Sequence, residues 1–173
     1  QDEIREYETK GIKIVQVDEP AFRELVPLKK RDQKSYFRWA IRSFSLATNT
    51  DPKTQIQTHM CYSSFQDIIE EINELDYDVL LMECSRSKEE AIKLFQKNKN
   101  HKQIGLGLWD VHSPEIPQVK EMKEILRRCL KYIPPERFWL NPDCGLKTRQ
   151  WAEVSPSLKN LVTSGQTECL VAE

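Results

Sequence analysis

Short runs of apolar and β-branched residues alternate along nearly the whole chain with longer stretches of helical spacing. Five of these runs predict strands, over residues 12–17, 55–60, 78–83, 104–110 and 137–141. Between them, apolar residues at steps of three and four predict amphipathic helices over residues 65–75 and 119–133. Strands that alternate with helices through short connections predict an α/β fold with a parallel sheet.

The composition argues against several classes of protein. The 173 residues carry 26 Lys and Arg against 27 Asp and Glu, so nucleic acid is not the expected partner. The apolar runs are too short to cross a membrane, and five cysteines without a repeating framework indicate a reducing, cytoplasmic setting. No targeting signal is visible near Gln1, and we expect the chain to have been cut from something longer.

Glycine, basic and aromatic residues add three expectations. The segment Gly105-Leu106-Gly107 lies inside a predicted strand rather than after one, which disfavours a dinucleotide-binding fold. Lys29-Lys30-Arg31 is predicted to be a solvated loop. A cluster of aromatic residues in the region before the second strand is predicted to be helix core: Tyr36, Phe37, Trp39 and Phe44.

Reactive side chains stand at the carboxyl end of every predicted strand. The pairs are Asp18 and Glu19, His59 and Cys61, Glu83 and Cys84, Asp110 and His112, and Asp143 and Cys144. Catalytic groups converge in this way at the carboxyl-terminal rim of a (βα)8 TIM barrel. Five βα units cannot close such a barrel, which takes about 250 residues. We therefore expect the five carboxyl-terminal units of an incomplete barrel, as a fragment or as a half that needs a partner.

Four of these residues have the chemistry of zinc ligands. His59 and Cys61 are two apart on one strand and so point the same way, and Glu83 ends the next predicted strand. Cys144 follows the last strand. A His-x-Cys pair alone is more often a buried thiol beside a hydrogen-bonded histidine, but the added carboxylate and thiol favour a metal site.

Several motifs together resemble one known family. They are His59-Met60-Cys61-Tyr62, Glu83 within residues 82–87, Asp110-Val111-His112-Ser113-Pro114, and the segment 141–149 that begins Asn141-Pro142-Asp143-Cys144-Gly145. Over about residues 11–162 the chain resembles the cobalamin-independent methionine synthases. The resemblance implies one zinc per chain, bound by His59, Cys61, Glu83 and Cys144. It also implies that His112 is the proton donor, that Asp18 binds homocysteine and that Glu24 contacts the folate.

The implied reaction is zinc-dependent methyl transfer from 5-methyltetrahydrofolate polyglutamate to homocysteine, giving methionine. Asp110 would orient the ring of His112, although a surface imidazole satisfied by Ser113 is the competing interpretation. Residues 1–164 would form the partial catalytic barrel and residues 165–173 a tail. The alternative is a non-catalytic zinc-binding remnant of that barrel, inactive because upstream strands are missing. On either interpretation, an upstream segment or another chain is expected to complete the barrel.

Overall fold

The computed structural model describes residues 1–60, 67–85 and 102–169, with side chains as far as residue 166. The chain divides into two compact units, residues 1–60 with 64–80 and residues 61–63 with 81–173. Strand pairing follows the order β1-β2-β3-β4-β5, which is also the order along the chain. The strands are β1 (Ile14–Gln16), β2 (Gln55–Met60), β3 (Val79–Met82), β4 (Gln103–Trp109) and β5 (Phe138–Pro142). The five predicted strands and the α/β class are confirmed.

The first unit contains helices α1 (Asp2–Thr9), α2 (Ala21–Glu24), α3 (Lys30–Thr48) and α4 (Ile69–Glu74). β1 pairs in parallel with β2, with Val15 opposite Ile56. The carboxylate of Asp78 accepts the backbone N–H of Ile56 at 2.7 Å and so fixes the amino end of β3 beside β2. Ile72 and Leu75 are fully buried, as the apolar spacing around α4 predicts.

One aromatic residue of α3 departs from its prediction. Tyr36, Phe37 and Phe44 are buried as expected, but Trp39 is 57% exposed. At 3.6 residues per turn, Trp39 falls on the face of α3 away from Phe37 and Phe44, and its ring makes an edge contact with Tyr36. The basic residues at the start of α3 are exposed as predicted, but Lys30 already belongs to the helix rather than to a loop.

The second unit contains helices α5 (Val119–Leu130) and α6 (Trp151–Cys169), and a 3-10 turn at Pro135–Arg137 precedes β5. β4 pairs in parallel with β5, with Gly105 opposite Trp139. The predicted apolar stripe of α5 is confirmed, since its buried residues are Met122, Ile125, Leu126 and Cys129. The segment expected to begin a tail at Gly165 is helical to Cys169 in this structure.

Both glycines of the Gly105-Leu106-Gly107 segment lie in β4, and neither adopts a left-handed conformation. A Cβ at Gly105 would lie against Leu81 Cδ2 and 2.5 Å from Asn141 Oδ1. A Cβ at Gly107 would lie against the carboxylate of Asp143 and 2.7 Å from its Cα. These glycines therefore mark close approach by neighbouring segments, which is a common reason for glycine inside a strand. Across the described helices, none combines the length and apolar character that crossing a membrane requires.

Candidate functional site

The first unit places His59 at the carboxyl end of β2, where its residue is only 7% exposed. The backbone carbonyl of His59 accepts the N–H of Glu19 at 3.2 Å, and the carbonyl of Gln57 accepts the N–H of Val17 at 2.8 Å. The loop that follows β1 is thus held along the end of β2. This contact brings the backbone beside Asp18 next to His59, as convergence at strand ends predicts.

The two predicted substrate-binding residues of this unit are both exposed. Asp18 Oδ1 accepts a hydrogen bond from Gln16 Nε2 at 2.7 Å. Glu24 is the last residue of α2, whose position is fixed by the Tyr36 hydroxyl through bonds to two backbone carbonyls. Burial raises the pKa of Glu19, and a hydrogen bond from the backbone of Phe22 partly offsets that rise.

The second unit places Glu83 directly after β3 and Cys144 two residues after β5. Glu83 is 9% exposed and Cys144 is half-buried. Asp143, the residue before Cys144, is completely buried. Its Oδ1 accepts the backbone N–H groups of Cys84 and Ser85, each at 3.1 Å, and its Oδ2 accepts the Ser85 hydroxyl.

Asp143 also joins the end of β4, because its own N–H donates to the Trp109 carbonyl at 2.9 Å. Burial raises the pKa of its carboxyl to about 6, and the hydrogen bonds from Ser85 and Cys84 oppose the rise. The sequence places Asp143 among the strand-end residues but assigns it no role. The signal that points to it is Gly107, since a glycine inside a strand indicates that another segment comes close.

Asp110 and His112 form a turn at the end of β4. The strand ends at Trp109, so Asp110 lies just beyond it rather than on it. The Asp110 carbonyl accepts the N–H of Ser113 at 3.2 Å, while its carboxylate Oδ1 accepts the backbone N–H of His112 at 2.9 Å. Aspartate commonly stabilises a turn in this way. The contact holds the backbone of His112, and the His112 side chain is exposed.

The described cysteines have different environments. Cys84, Cys129 and Cys144 form no disulfide. Burial raises the pKa of the Cys129 thiol to about 12, and burial also raises the pKa of Cys84. A thiol that stays protonated is a poor metal ligand and a poor nucleophile. Both thiols are buried, and Cys129 lies on the apolar face of α5, as the sequence indicates.

Three of the four predicted metal ligands, His59, Glu83 and Cys144, belong to the described residues. Cys61 lies outside the described residues. Within residues 1–60, 67–85 and 102–169, no group of three His, Cys, Asp or Glu side chains is arranged to hold a metal ion. The assignment of His59, Cys61, Glu83 and Cys144 as zinc ligands therefore stays a prediction.

Comparison with known proteins assigns nearly all of the chain to one type of domain. Residues 1–167 match the family model described as the catalytic domain of cobalamin-independent synthase. A 5-methyltetrahydropteroyltriglutamate–homocysteine methyltransferase of Thermotoga petrophila is 57% identical over 162 residues, which are 93% of this chain and 22% of that protein. The protein of the same name from Thermodesulfovibrio yellowstonii is 52% identical over 166 residues, 95% of this chain and 22% of its own length.

The chain thus spans about a fifth of the length of the curated relatives it matches. Among solved structures, the B12-independent methionine synthase of a Shewanella species aligns with a TM-score of 0.79 over 99% of this chain and 53% of that one. Its sequence identity is 20%, so this likeness concerns the fold.

Proposed function

This chain belongs to the family of cobalamin-independent synthases, as part of their catalytic domain, and from that membership we propose that it supplies the zinc-binding portion of a methyl-transferring barrel. The reaction is transfer of the methyl group of 5-methyltetrahydropteroyl polyglutamate to homocysteine. The observation that carries the proposal is the 57% identity to a protein named for that reaction. Because the chain spans about a fifth of that protein, the activity is proposed for the complete barrel.

The donor set fits zinc. Two of the proposed ligands, His59 and Glu83, are polar side chains buried at strand ends, and the thiols of Cys61 and Cys144 are the sulfur donors that zinc favours. His59, Cys61, Glu83 and Cys144 would hold the metal. The chemistry that bound zinc supplies is deprotonation of the homocysteine thiol, which near neutral pH is otherwise mostly protonated.

His112 would act on the methyl donor. The methyl group departs from a tertiary amine of the folate, and that nitrogen is a poor leaving group until it is protonated. The His112 side chain is exposed, and histidine is the side chain that most often serves as a general acid. Asp110 would contribute by fixing the backbone of His112 through the turn at the end of β4. Asp18 and Glu24, both exposed, would contact homocysteine and the folate respectively.

A chimaera tests this proposal in a complete protein. This chain would replace the matching 162-residue segment of the Thermotoga petrophila relative. We expect one zinc per chain by elemental analysis, and methionine formation in a single turnover with methyltetrahydropteroyltriglutamate and homocysteine. Cys144→Ala should lose the zinc, whereas Cys129→Ala, which alters a buried thiol on α5, should retain it.

Two results would contradict the proposal in different ways. Full zinc occupancy in Cys144→Ala would show that the ligand assignment is wrong. A chimaera that binds zinc and both substrates without forming methionine would favour the non-catalytic zinc-binding alternative for this chain.

A further inference from the structure

The carboxylate of Asp143 is a meeting point of three chain segments in the second unit. Its Oδ1 receives the backbone N–H groups of Cys84 and Ser85, both at 3.1 Å, and its Oδ2 receives the Ser85 hydroxyl. The N–H of the same residue bonds to the Trp109 carbonyl at 2.9 Å. The side chain and the backbone N–H of Asp143 thereby join the segments at the carboxyl ends of β3, β4 and β5.

These bonds involve the direct sequence neighbours of two proposed metal ligands. Glu83 immediately precedes Cys84, and Cys144 immediately follows Asp143. Hydrogen bonds from backbone N–H groups to a carboxylate are stronger than those between neutral groups, and at complete burial they do not compete with water. The carboxylate therefore fixes the backbone on the carboxyl side of Glu83 and on the amino side of Cys144.

Gly107 provides the space for this arrangement. A Cβ at position 107 would contact the Asp143 carboxylate and would lie 2.7 Å from Asp143 Cα. Real Cβ atoms do not approach other heavy atoms that closely, and a backbone atom cannot move aside as a flexible side chain can. The β5 loop can pass this close to β4 only because residue 107 has no side chain.

We propose that Asp143 is a positioning residue for the metal centre, and that Gly107 is required for its position. The proposal rests on the ligand set of the proposed function, and it makes Asp143 an organiser of two ligand-bearing segments rather than a ligand. Its oxygens already accept two N–H groups and one O–H group, which leaves little capacity for a direct bond to a cation.

Metal affinity and the spectrum of bound Co²⁺ test the proposal in the 173-residue chain. Zinc dissociation constants would be measured by competition with a chelator. The absorption bands of Co²⁺ bound in place of zinc report the number of thiolate ligands and their geometry. Loss of groups that orient metal ligands typically weakens metal binding by about 10- to 100-fold. We expect that loss, with altered Co²⁺ bands, for Asp143→Ala and for Gly107→Ala.

Two further variants separate positioning from direct coordination and from failure to fold. Ser85→Ala removes one hydrogen bond and leaves the carboxylate intact, so it should weaken zinc binding by a smaller factor. Asp143→Asn keeps an oxygen that can accept the backbone N–H groups, so it should restore part of the affinity lost in Asp143→Ala. Should Asp143→Ala not fold by circular dichroism, Ser85→Ala and Asp143→Asn decide the question.

The matched control is Asp78→Ala. Asp78 also accepts a backbone N–H, from Ile56 at 2.7 Å, but it lies at the amino end of β3. This variant should lower thermal stability without changing zinc affinity or the Co²⁺ bands. An equal loss of affinity in Asp78→Ala would reduce the role of Asp143 to general stability and overturn the proposal.

The remaining outcomes are equally decisive. If the parent chain binds zinc and both Asp143→Ala and Gly107→Ala bind it equally well, the positioning role is wrong and the proposed function is unaffected. If the Asp143 variants lose affinity while Ser85→Ala and Gly107→Ala do not, Asp143 does not act through these contacts and the proposal fails. If the parent chain shows neither zinc binding nor thiolate-to-Co²⁺ bands, the proposed ligand set fails, and the positioning role fails with it.

Discussion

The close approach at Gly105 predicts that adding a single methyl group destabilises the fold. In Gly105→Ala the new Cβ would lie 2.5 Å from Asn141 Oδ1 and against Leu81 Cδ2. Leu81 is buried, so its methyl group can move only by leaving its preferred rotamer or by shifting its neighbours. Overpacking of this kind costs about 1–3 kcal/mol.

A second effect of the same substitution opposes this loss of stability. Replacing glycine with alanine restricts the unfolded chain and stabilises a protein by about 0.4–1 kcal/mol where the native conformation tolerates a side chain. With mid-range values of about 2 and about 0.7 kcal/mol for the two effects, the net free energy of unfolding should fall by about 1–2 kcal/mol. In chains of 150–250 residues each kcal/mol corresponds to about 2–4 °C, so the melting temperature should drop by about 2–8 °C.

Thermal unfolding followed by circular dichroism, with metal removed by a chelator, measures this change. Two other glycines provide controls. Gly145 has open space around its Cα and no left-handed conformation, so Gly145→Ala should be neutral or slightly stabilising. Gly11 also has open space, but its φ is +82°, so Gly11→Ala should be destabilising through backbone strain alone. A melting temperature for Gly105→Ala at or above that of the parent would refute the packing argument.

Four other predictions concern acid–base chemistry and local hydrogen bonding. Native alkylation at pH 8 should spare Cys84 and Cys129, and mass spectrometry should find both labelled only after denaturation. Burial raises the pKa of Cys129 in the folded chain to about 12, above its ordinary value of 9.0, so the unfolded chain loses that proton at a lower pH. The free energy of unfolding should therefore fall as the pH rises through this range, and it should fall less in Cys129→Ala. In the chimaera, His112→Asn should keep zinc but slow single-turnover methyl transfer by about 10²–10⁴-fold, whereas Cys61→Ser should lose zinc; an unchanged rate in His112→Asn would exclude it as the acid. Tyr36→Phe removes the hydroxyl that bonds to two α2 carbonyls at 2.7 and 3.1 Å and should lower the free energy of unfolding by about 0.5–1.5 kcal/mol in urea titration.

Local pattern was sufficient to predict the elements with strong periodicity. The strand at Gln55–Met60 was predictable to the residue, and the stripe along α5 identified its buried face. Both follow from short-range rules, because the composition of a short run and the 3.6-residue repeat of a helix depend only on neighbours in the chain. The strand-end placement of His59 and Glu83 was predictable for the same reason.

Elements without such a pattern needed the tertiary structure. Pro156 lies inside α6, where a proline ordinarily argues against a helix because it lacks an N–H and crowds the preceding turn. Burial of Val154 and Leu161 on that helix compensates. For Trp39 the local prediction was wrong. Its aromatic character predicted a core position, but the rotation of α3 leaves the ring exposed.

The central contact of the second unit could be found only in three dimensions. Asp143 is separated by 59 residues from Cys84 and by 58 from Ser85, whose N–H groups it accepts. The order of β3, β4 and β5 in the sheet decides which strand ends become neighbours. The sequence by itself determined the α/β class, the strands and the residue types at their ends. The tertiary structure decided that Gly107 accommodates Asp143, because that contact joins segments whose proximity no local rule determines.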